Sequence, residues 1–263
     1  MSRIDAAFAR LRASKGRGLV TYVTAGDPDA DTSVRILVEL ARAGADVLEV
    51  GVPFSDPLAD GPVIQRATER ALARGMTLRG TLDVVRRVRA EVETPIVLFT
   101  YANPVLRMAP PLFARAAADA GVDGVLILDY PIEEAAPLRT PLIDAGLDPI
   151  FLISPTTSDR RIRRSGELGR GFLYVISRLG VTGARDQLAA DIGGLVGRVR
   201  AQSSLPVALG FGISRPEHVA AVCAVADAAV VGSALVTVIA EHGAAPDVAQ
   251  RAGDYVRWLK GAP

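Results

Sequence analysis

Two hydrophobic patterns alternate along the chain. Short apolar runs rich in β-branched residues predict buried strands, and longer segments with apolar residues at helical spacing predict amphipathic helices. Because strands that alternate with helices form parallel sheets, we expect an α/β fold. Strands are predicted at 18–25, 46–52, 95–101, 124–129, 148–153, 171–177, 205–210 and 228–232. Helices are predicted at 32–43, 62–74, 78–92, 111–120, 188–201 and 216–225.

Eight such units favour a closed (β/α)8 TIM barrel over an open, doubly wound sheet. No linker rich in Pro, Gly or Ser divides the 263 residues, so we expect one domain over residues 1–263. The first strand is not followed by the GxGxxG motif of dinucleotide-binding folds. Residues 4–13 place Ile4, Phe8 and Leu11 on one helical face, which predicts an extra N-terminal helix that closes the lower end of the barrel.

Composition narrows the possible partners. The chain has 30 basic and 29 acidic residues, and its arginines are scattered over many predicted helices, so we do not expect a nucleic-acid partner. The N-terminal residues lack the pattern of a signal peptide. The most apolar stretch, 219–240, is interrupted by Asp227 and Gly232, so we expect no membrane span and a cytoplasmic location.

One acidic residue lies inside an apolar strand pattern. Glu49 has Val47 and Gly51 as neighbours on the same face, and burial there would raise the pKa of its carboxyl group toward neutral pH. Asp60 follows in a polar loop and is expected to stay ionised. The pair therefore predicts acid/base catalysis. The structural alternatives are a Glu49 bonded to an arginine or to Tyr101, and an Asp60 that is a solvated loop acid or caps the following helix.

The remaining sequence excludes several mechanisms. Lys15 and Lys260, the two lysines, lie outside the predicted barrel strands, so neither can form a Schiff base there. Cys223 is the single cysteine, and His218 and His242 lack the spacing of metal ligands, so we expect no metal site. With Schiff-base and metal mechanisms excluded, acid/base catalysis by carboxyl groups is the mechanism that remains.

Glycine-rich turns follow the last three predicted strands. They lie at 179–183, 210–212 and 232–233. Glycines let backbone N–H groups approach an anion, and the N-terminus of a helix adds a favourable dipole. Because TIM barrels frequently bind phosphate at this corner, the three turns predict a phosphorylated substrate. The structural alternative is that they are only tight turns, and the role of Arg178 stays open.

Leu48 to Gly61 resembles the signature of the tryptophan synthase alpha subunit family at essentially every defined position. The similarity extends over nearly the whole chain. It implies retro-aldol cleavage of indole-3-glycerol phosphate to indole and glyceraldehyde 3-phosphate, with no metal or organic cofactor in this subunit. The other matching segments are 21–28 (TYVTAGDP), 100–104 (TYANP), 129–131 (DYP), 177–183 (SRLGVTG) and 210–214 (GFGIS).

The resemblance implies specific residue roles. The residue matching Glu49 protonates indole C3 and helps to deprotonate the glycerol hydroxyl, and the residue matching Asp60 engages the indole N–H. Thr182 would belong to a mobile lid at 180–185 that closes over the substrate. Tyr22 stands where phenylalanine is more familiar. The implied substrate-binding residues are Tyr22, Tyr101, Ile153, Tyr174, Thr182 and Phe211, and the implied phosphate-binding residues are Gly183, Gly212, Gly232 and Ser233.

The resemblance also implies a partner. This is the pyridoxal-phosphate-dependent beta subunit, in an alpha2beta2 complex through which indole passes between the two sites. Alternatives are a stand-alone indole-3-glycerol-phosphate lyase, a non-catalytic regulatory barrel that binds phosphate, and another phosphate-binding barrel such as indole-glycerol-phosphate synthase, which would be expected to need a barrel lysine. The implied interface residues are Pro53, Phe54, Asp56, Asn103 and Pro104.

Overall fold

A closed barrel of parallel strands forms the centre of the molecule. The computed structural model describes residues 1–176, 185–210 and 212–261, and of residues 185–191 it describes the backbone. The strands are hydrogen-bonded in sequence order, and the last pairs with the first, which confirms the predicted TIM barrel. They are β1 (Gly18–Thr24), β2 (Val47–Gly51), β3 (Ile96–Thr100), β4 (Gly124–Ile127), β5 (Asp148–Ile153), β6 (Leu173–Ile176), β7 (Val207–Gly210) and β8 (Ala228–Val231).

Helices follow the strands, and each of the six helices predicted from the apolar spacing is present within a few residues of its predicted ends. Capping side chains explain several of the starts; Asp29, for example, accepts a hydrogen bond from the Thr32 N–H at the start of α2. The helices are α1 (Arg3–Ser14), α2 (Ala30–Arg42), α3 (Pro62–Ala73), α4 (Leu78–Arg89), α5 (Ala102–Met108), α6 (Pro110–Ala120), α7 (Ala136–Asp144), α8 (Asp159–Leu168), α9 (Arg185–Gln202), α10 (Pro216–Cys223), α11 (Ser233–His242) and α12 (Val248–Leu259), with a short 3-10 helix at Ile132–Glu134.

Side chains alternate between the barrel interior and the layer beneath the helices, as the period of a strand requires. On β2, Val47 belongs to the interior cluster, whereas Leu48 and Val50 belong to the core between sheet and helices. Glu49 therefore points inward on the same face as Val47. The register of β1 against β2 pairs Tyr22 with Glu49. Sequence alternation thus places the buried acid beside an aromatic residue of the neighbouring strand.

The N-terminal helix closes one end of the barrel, as predicted. Ile4, Phe8 and Leu11 on α1 are buried in the interior cluster, and the rings of Phe8 and Phe172 lie 5.4 Å apart. A Cβ atom at Gly124 would lie 2.9 Å from the side chain of Ile4, so this small residue allows the helix to approach β4 closely. The helix fills the amino end of the barrel and leaves the carboxyl end for chemistry.

Neither a membrane helix nor a metal cluster is found in the described part of the chain. No helix there is long and apolar enough to cross a bilayer. Among the same residues, no group of three or more His, Cys, Asp or Glu side chains could hold a metal ion.

Candidate active site

Glu49 is a fully buried carboxyl group in the barrel interior. Its exposed fraction is 0%, and neither carboxylate oxygen has a hydrogen-bond partner among the described residues. Burial, and secondarily the negative charge of Asp60, raises the pKa of Glu49 to about 8. The carboxyl group is therefore mostly protonated at neutral pH. Within the described residues, neither an arginine nor Tyr101 forms a hydrogen bond to it, so neither structural alternative is found in that part of the chain.

Asp60 is the second carboxyl group, and it reaches the site from the loop between β2 and α3. Burial raises its pKa to about 6, while the Tyr101 hydroxyl, which donates to Asp60 Oδ2 at 3.1 Å, acts in the opposite direction. Asp60 does not cap α3, because the cap position is Gly61 and no side chain bonds there. At neutral pH, Asp60 is mostly ionised while Glu49 is mostly protonated. Two neighbouring carboxyl groups thus have different protonation states, as acid/base catalysis requires.

Aromatic side chains form one wall of this site. Tyr22 and Tyr174 are buried, and the ring of Phe99 lies 5.2 Å from that of Tyr22 and 6.3 Å from that of Tyr174. Burial raises the pKa of both tyrosine hydroxyls, so both stay neutral. The Tyr22 hydroxyl has a partner in Thr24 Oγ1, 3.3 Å away. The arrangement provides an aromatic wall, with rings inclined at 75° and 56° to one another, next to two carboxyl groups.

Two of the predicted phosphate-binding turns lie side by side. Gly210 on β7 pairs with Val230 on β8, so Gly212 and Gly232 occupy equivalent positions just beyond the paired strands. Gly212 has a φ of +69°, a conformation that favours glycine, and Ser233 is the first residue of α11. Backbone N–H groups and a hydroxyl at the start of a helix suit an anion. Of the other predicted residues, Thr182, Gly183 and Phe211 lie outside the described residues, as does Arg178.

Comparisons with known proteins support the same conclusion. The family model for "Tryptophan synthase alpha chain" matches residues 8–257. A protein of that name from Burkholderia thailandensis is 49% identical over 263 residues, which cover 100% of this chain and 97% of the relative. The chain belongs to the tryptophan synthase alpha chain family. The resemblance identified in the sequence is therefore confirmed, and with it the expected lyase function in tryptophan biosynthesis.

Solved structures agree with this assignment. The crystal structure of tryptophan synthase subunit alpha from Legionella pneumophila superposes with a TM-score of 0.92 at 40% identity, covering 99% of this chain and 97% of that one. A Mycobacterium tuberculosis tryptophan synthase chain superposes with a TM-score of 0.89 at 39% identity, covering 98% and 97%. The tryptophan synthase alpha fold is therefore shared over almost the entire chain.

Sequence reasoning missed several inward-facing residues of this alpha chain. Ile153 at the end of β5 lies in the core between sheet and helices, whereas the preceding Leu152 packs against the interior cluster. Side chains alternate along a strand, and Ile150 faces the barrel interior. Leu152, two residues later, could therefore have been predicted to face it as well. Partly buried side chains that pack against the interior cluster, and so extend the apolar wall, are Phe99, Leu128, Leu152 and Ile176.

The five interface residues implied by the resemblance differ in exposure. Asp56 and Asn103 are exposed, Phe54 and Pro104 are half-buried, and Pro53 is buried. The Phe54 ring packs against that of Tyr101 at 5.1 Å. Two further apolar side chains on the same segments are exposed and were missed, Leu58 at 92% and Leu106 at 49%. An apolar residue inside a polar loop is the sequence signal that could have indicated Leu58.

Proposed function

We propose that this chain cleaves indole-3-glycerol phosphate to indole and glyceraldehyde 3-phosphate, with Glu49 and Asp60 as its catalytic acid and base. The observation that carries these roles is the buried Glu49 carboxyl group, which has no described hydrogen-bond partner and a pKa near 8. Burying an acid without a partner costs free energy, and such groups with strongly shifted pKa values cluster at functional sites. Asp60, whose pKa is near 6, supplies the complementary base.

The first step moves two protons on the indole ring. Protonated Glu49 donates its proton to C3 of the ring, and ionised Asp60 accepts the proton of the ring N–H. The product is an indolenine, in which C3 is tetrahedral and nitrogen is doubly bonded to C2. Two carboxyl groups that begin in opposite protonation states can perform this transfer without a change in net charge.

The second step breaks the carbon–carbon bond. Glu49, now ionised, accepts the proton of the glycerol hydroxyl next to the ring, and a carbonyl group forms as the bond to C3 breaks. The electron pair returns to the ring, where nitrogen takes back a proton from Asp60. Indole and an aldehyde leave, and both carboxyl groups return to their initial states.

We infer that the subunit needs no metal or organic cofactor for this reaction. The indolenine itself accepts the electron pair that other aldolases transfer to a Schiff base or a zinc ion. The two lysines support this inference: Lys15 ends α1, and Lys260 follows α12 with its amine bonded to Asp46. Turnover that is unchanged by a chelator and by removal of pyridoxal phosphate from the assay would support it.

The proposed binding mode follows the geometry of the carboxyl end of the barrel. The indole ring lies against the apolar wall formed by Tyr22, Phe99 and Tyr174, where area burial and aromatic packing favour a flat ring. The phosphate lies at Gly212, Gly232 and Ser233, where backbone N–H groups and the helix α11 favour an anion. Thr182, Gly183 and Phe211 keep the roles that the resemblance implies.

The partner that we propose is the beta subunit, in an alpha2beta2 complex. The exposed apolar side chains of Leu58 and Leu106 follow the neighbouring strands β2 and β3 at the carboxyl end of the barrel, which supports docking of a partner at that face. The location in the cytoplasm stays a prediction.

Indole release from indole-3-glycerol phosphate tests the proposal. We expect slow release by the chain alone, a strong increase when a beta subunit is added, and loss of both rates in Glu49→Gln. Fast release without a partner would identify the stand-alone lyase instead. Release by Glu49→Gln at the normal rate would exclude Glu49 as the catalytic acid.

A further inference from the structure

The loop that carries Asp60 buries little of its own surface. Between Ser55 and Gly61, no residue is buried, and most are exposed. Its internal backbone bonds are short-range, from Leu58 N to Asp56 O and from Asp60 N to Pro57 O. A segment of this kind keeps one conformation only if side chains outside it bind its backbone.

Gln65 on α3 supplies such a contact. Its amide Nε2 donates to the carbonyl of Asp60 at 2.9 Å and to the carbonyl of Pro57 at 3.3 Å. One side-chain amide thus bridges both ends of the turn that presents the Asp60 carboxylate. The two N–H groups of a glutamine amide match the two carbonyl acceptors.

Tyr101 holds the same turn through its hydroxyl group. Its hydroxyl accepts from the Ala59 N–H at 3.1 Å and donates to Asp60 Oδ2 at 3.1 Å. Tyr101 fixes the carboxylate, whereas Gln65 fixes the main chain that carries it. Asp60 is therefore bound at its side chain by Tyr101, between β3 and α5, and at its backbone by Gln65 on α3.

The helix that carries Gln65 is itself anchored to the loop between β1 and α2. Arg70 on α3 donates from Nε and Nη2 to the two carboxylate oxygens of Asp27, each at 2.8 Å, and Asp27 is 2% exposed. Ala67 and Ala71 on the same helix are buried in the protein. A planar, bidentate pair with one buried partner restricts the position of the helix. Gln65 therefore extends from a fixed element.

We propose that Gln65 is a positioning residue for the lyase reaction, because its amide holds the Pro57–Asp60 turn so that the Asp60 carboxylate stays directed at the substrate ring. This inference rests on the proposed function of Asp60. Gln65 itself is not placed in contact with the substrate. Small errors in the placement of a catalytic group lower turnover strongly, and a reduced kcat is the expected result of losing this contact.

Two substitutions separate hydrogen bonding from packing. Gln65→Met keeps the length of the side chain and removes the donor, and Gln65→Glu keeps the shape but presents a carboxylate to two carbonyl oxygens. Loss of one hydrogen bond corresponds to about a tenfold decrease in kcat. We expect that decrease in Gln65→Met, a larger one in Gln65→Glu, and a KM within about twofold of wild type. Arg66→Met, an exposed neighbour on the same helix, is the matched control.

A second measurement follows Asp60 directly. Carbon-13 NMR of aspartate-labelled protein, with Asp60→Asn to assign the signal, reports the pKa of this carboxyl group. Since burial raises that pKa to about 6, a loosened turn should hydrate the carboxylate and lower it in Gln65→Met. Arg66→Met should leave the titration unchanged.

The outcomes distinguish this inference from the proposed function. Decreased kcat together with a lowered Asp60 pKa in Gln65→Met supports the positioning role. A normal kcat in both Gln65 variants, or a decreased kcat with an unchanged Asp60 titration, overturns it. If wild type releases no indole even with a beta subunit, the proposed function fails, and the NMR titration still decides whether Gln65 positions Asp60.

Discussion

The hydroxyl group of Tyr22 fills the space that a side chain at position 51 would need. Gly51 is the last residue of β2 and points into the barrel two residues after Glu49, and a Cβ atom there would collide with the Tyr22 hydroxyl. Gly210 has the same relationship to Tyr174, whose hydroxyl would lie 3.0 Å from an added Cβ. Two inward-facing glycines thus accommodate the two tyrosines of the aromatic wall.

The Tyr22–Gly51 contact predicts a coupled pair of substitutions. Gly51→Ala should lower the free energy of unfolding by about 1 to 3 kcal/mol, since overpacking a filled interior has costs of that order. Tyr22→Phe removes the hydroxyl but keeps ring carbons Cζ and Cε2, which would lie 2.6 and 2.8 Å from the added Cβ, so the double variant should recover only part of that loss. Urea unfolding of the four proteins measures the coupling. Strictly additive effects would show that the two positions do not interact.

Glu49→Gln should stabilise the folded chain in a pH-dependent way. Because the pKa of Glu49 is raised from 4.5 to about 8 in the folded state, its contribution to stability is fully present below pH 4.5 and is lost as the pH rises toward 8. Gln does not ionise. The variant should therefore exceed wild type by roughly 2 to 4 kcal/mol near pH 8 and match it most closely near pH 4.5. Melting temperatures across this range would show whether the difference grows with pH.

The pH dependence of kcat/KM should be bell-shaped. Asp60 must be ionised to accept the ring proton, so activity rises through its pKa near 6. Glu49 must be protonated to donate, so activity falls through its pKa near 8. Steady-state rates over this range, with fold integrity checked by circular dichroism, test both limbs. An alkaline limb that is absent while the protein stays folded would contradict the assignment of Glu49.

Tyr101→Phe should shift the acid limb of the kcat/KM profile to higher pH. The Tyr101 hydroxyl donates to Asp60 and favours its ionised form, so removing it raises the Asp60 pKa above about 6. It also leaves the Ala59 N–H without its side-chain partner. We expect kcat/KM near pH 6 to fall more than kcat/KM near pH 8. An equal fall at both values would indicate that Tyr101 acts only through packing.

Ser233→Ala tests the phosphate site with little risk to the fold. Ser233 is exposed at the start of α11, and its hydroxyl has no recorded bond within the described residues. Loss of one hydrogen bond to a charged group should raise KM roughly tenfold and leave kcat nearly unchanged. Thr237→Ala, on the next turn of the same helix, is the control and should keep a normal KM. Equal effects of the two substitutions would argue against a phosphate contact at Ser233.

Much of the fold could be predicted because local pattern and topology agree. The eight strands were located from apolar runs, and the N-terminal plug from three apolar residues at helical spacing. The inward orientation of Glu49 followed from its neighbours on β2. Ile153 shows the limit of this approach: at a strand end, one residue of offset exchanges the interior for the helix layer, and Leu152 is the residue that packs inward.

The contacts of Asp60 could not be predicted in the same way. Its loop is irregular, so no periodicity relates it to Tyr101, which lies 41 residues away in sequence. The helix-cap interpretation was reasonable for an acid before Gly61-Pro62, but the structure places Gly61 at the cap and directs Asp60 to Tyr101. Gln65 gave no distinctive signal, because a polar residue on a helix is ordinary in sequence.

By itself, the sequence determined the barrel, the buried acid and the family, because these depend on periodicity and on ordered motifs that are local in the chain. Only the tertiary structure decided the protonation states of Glu49 and Asp60, the fit of Tyr22 over Gly51, and the bonds that hold the Asp60 turn. These properties depend on distances and solvent exclusion between residues that are remote in sequence, and barrel closure sets both.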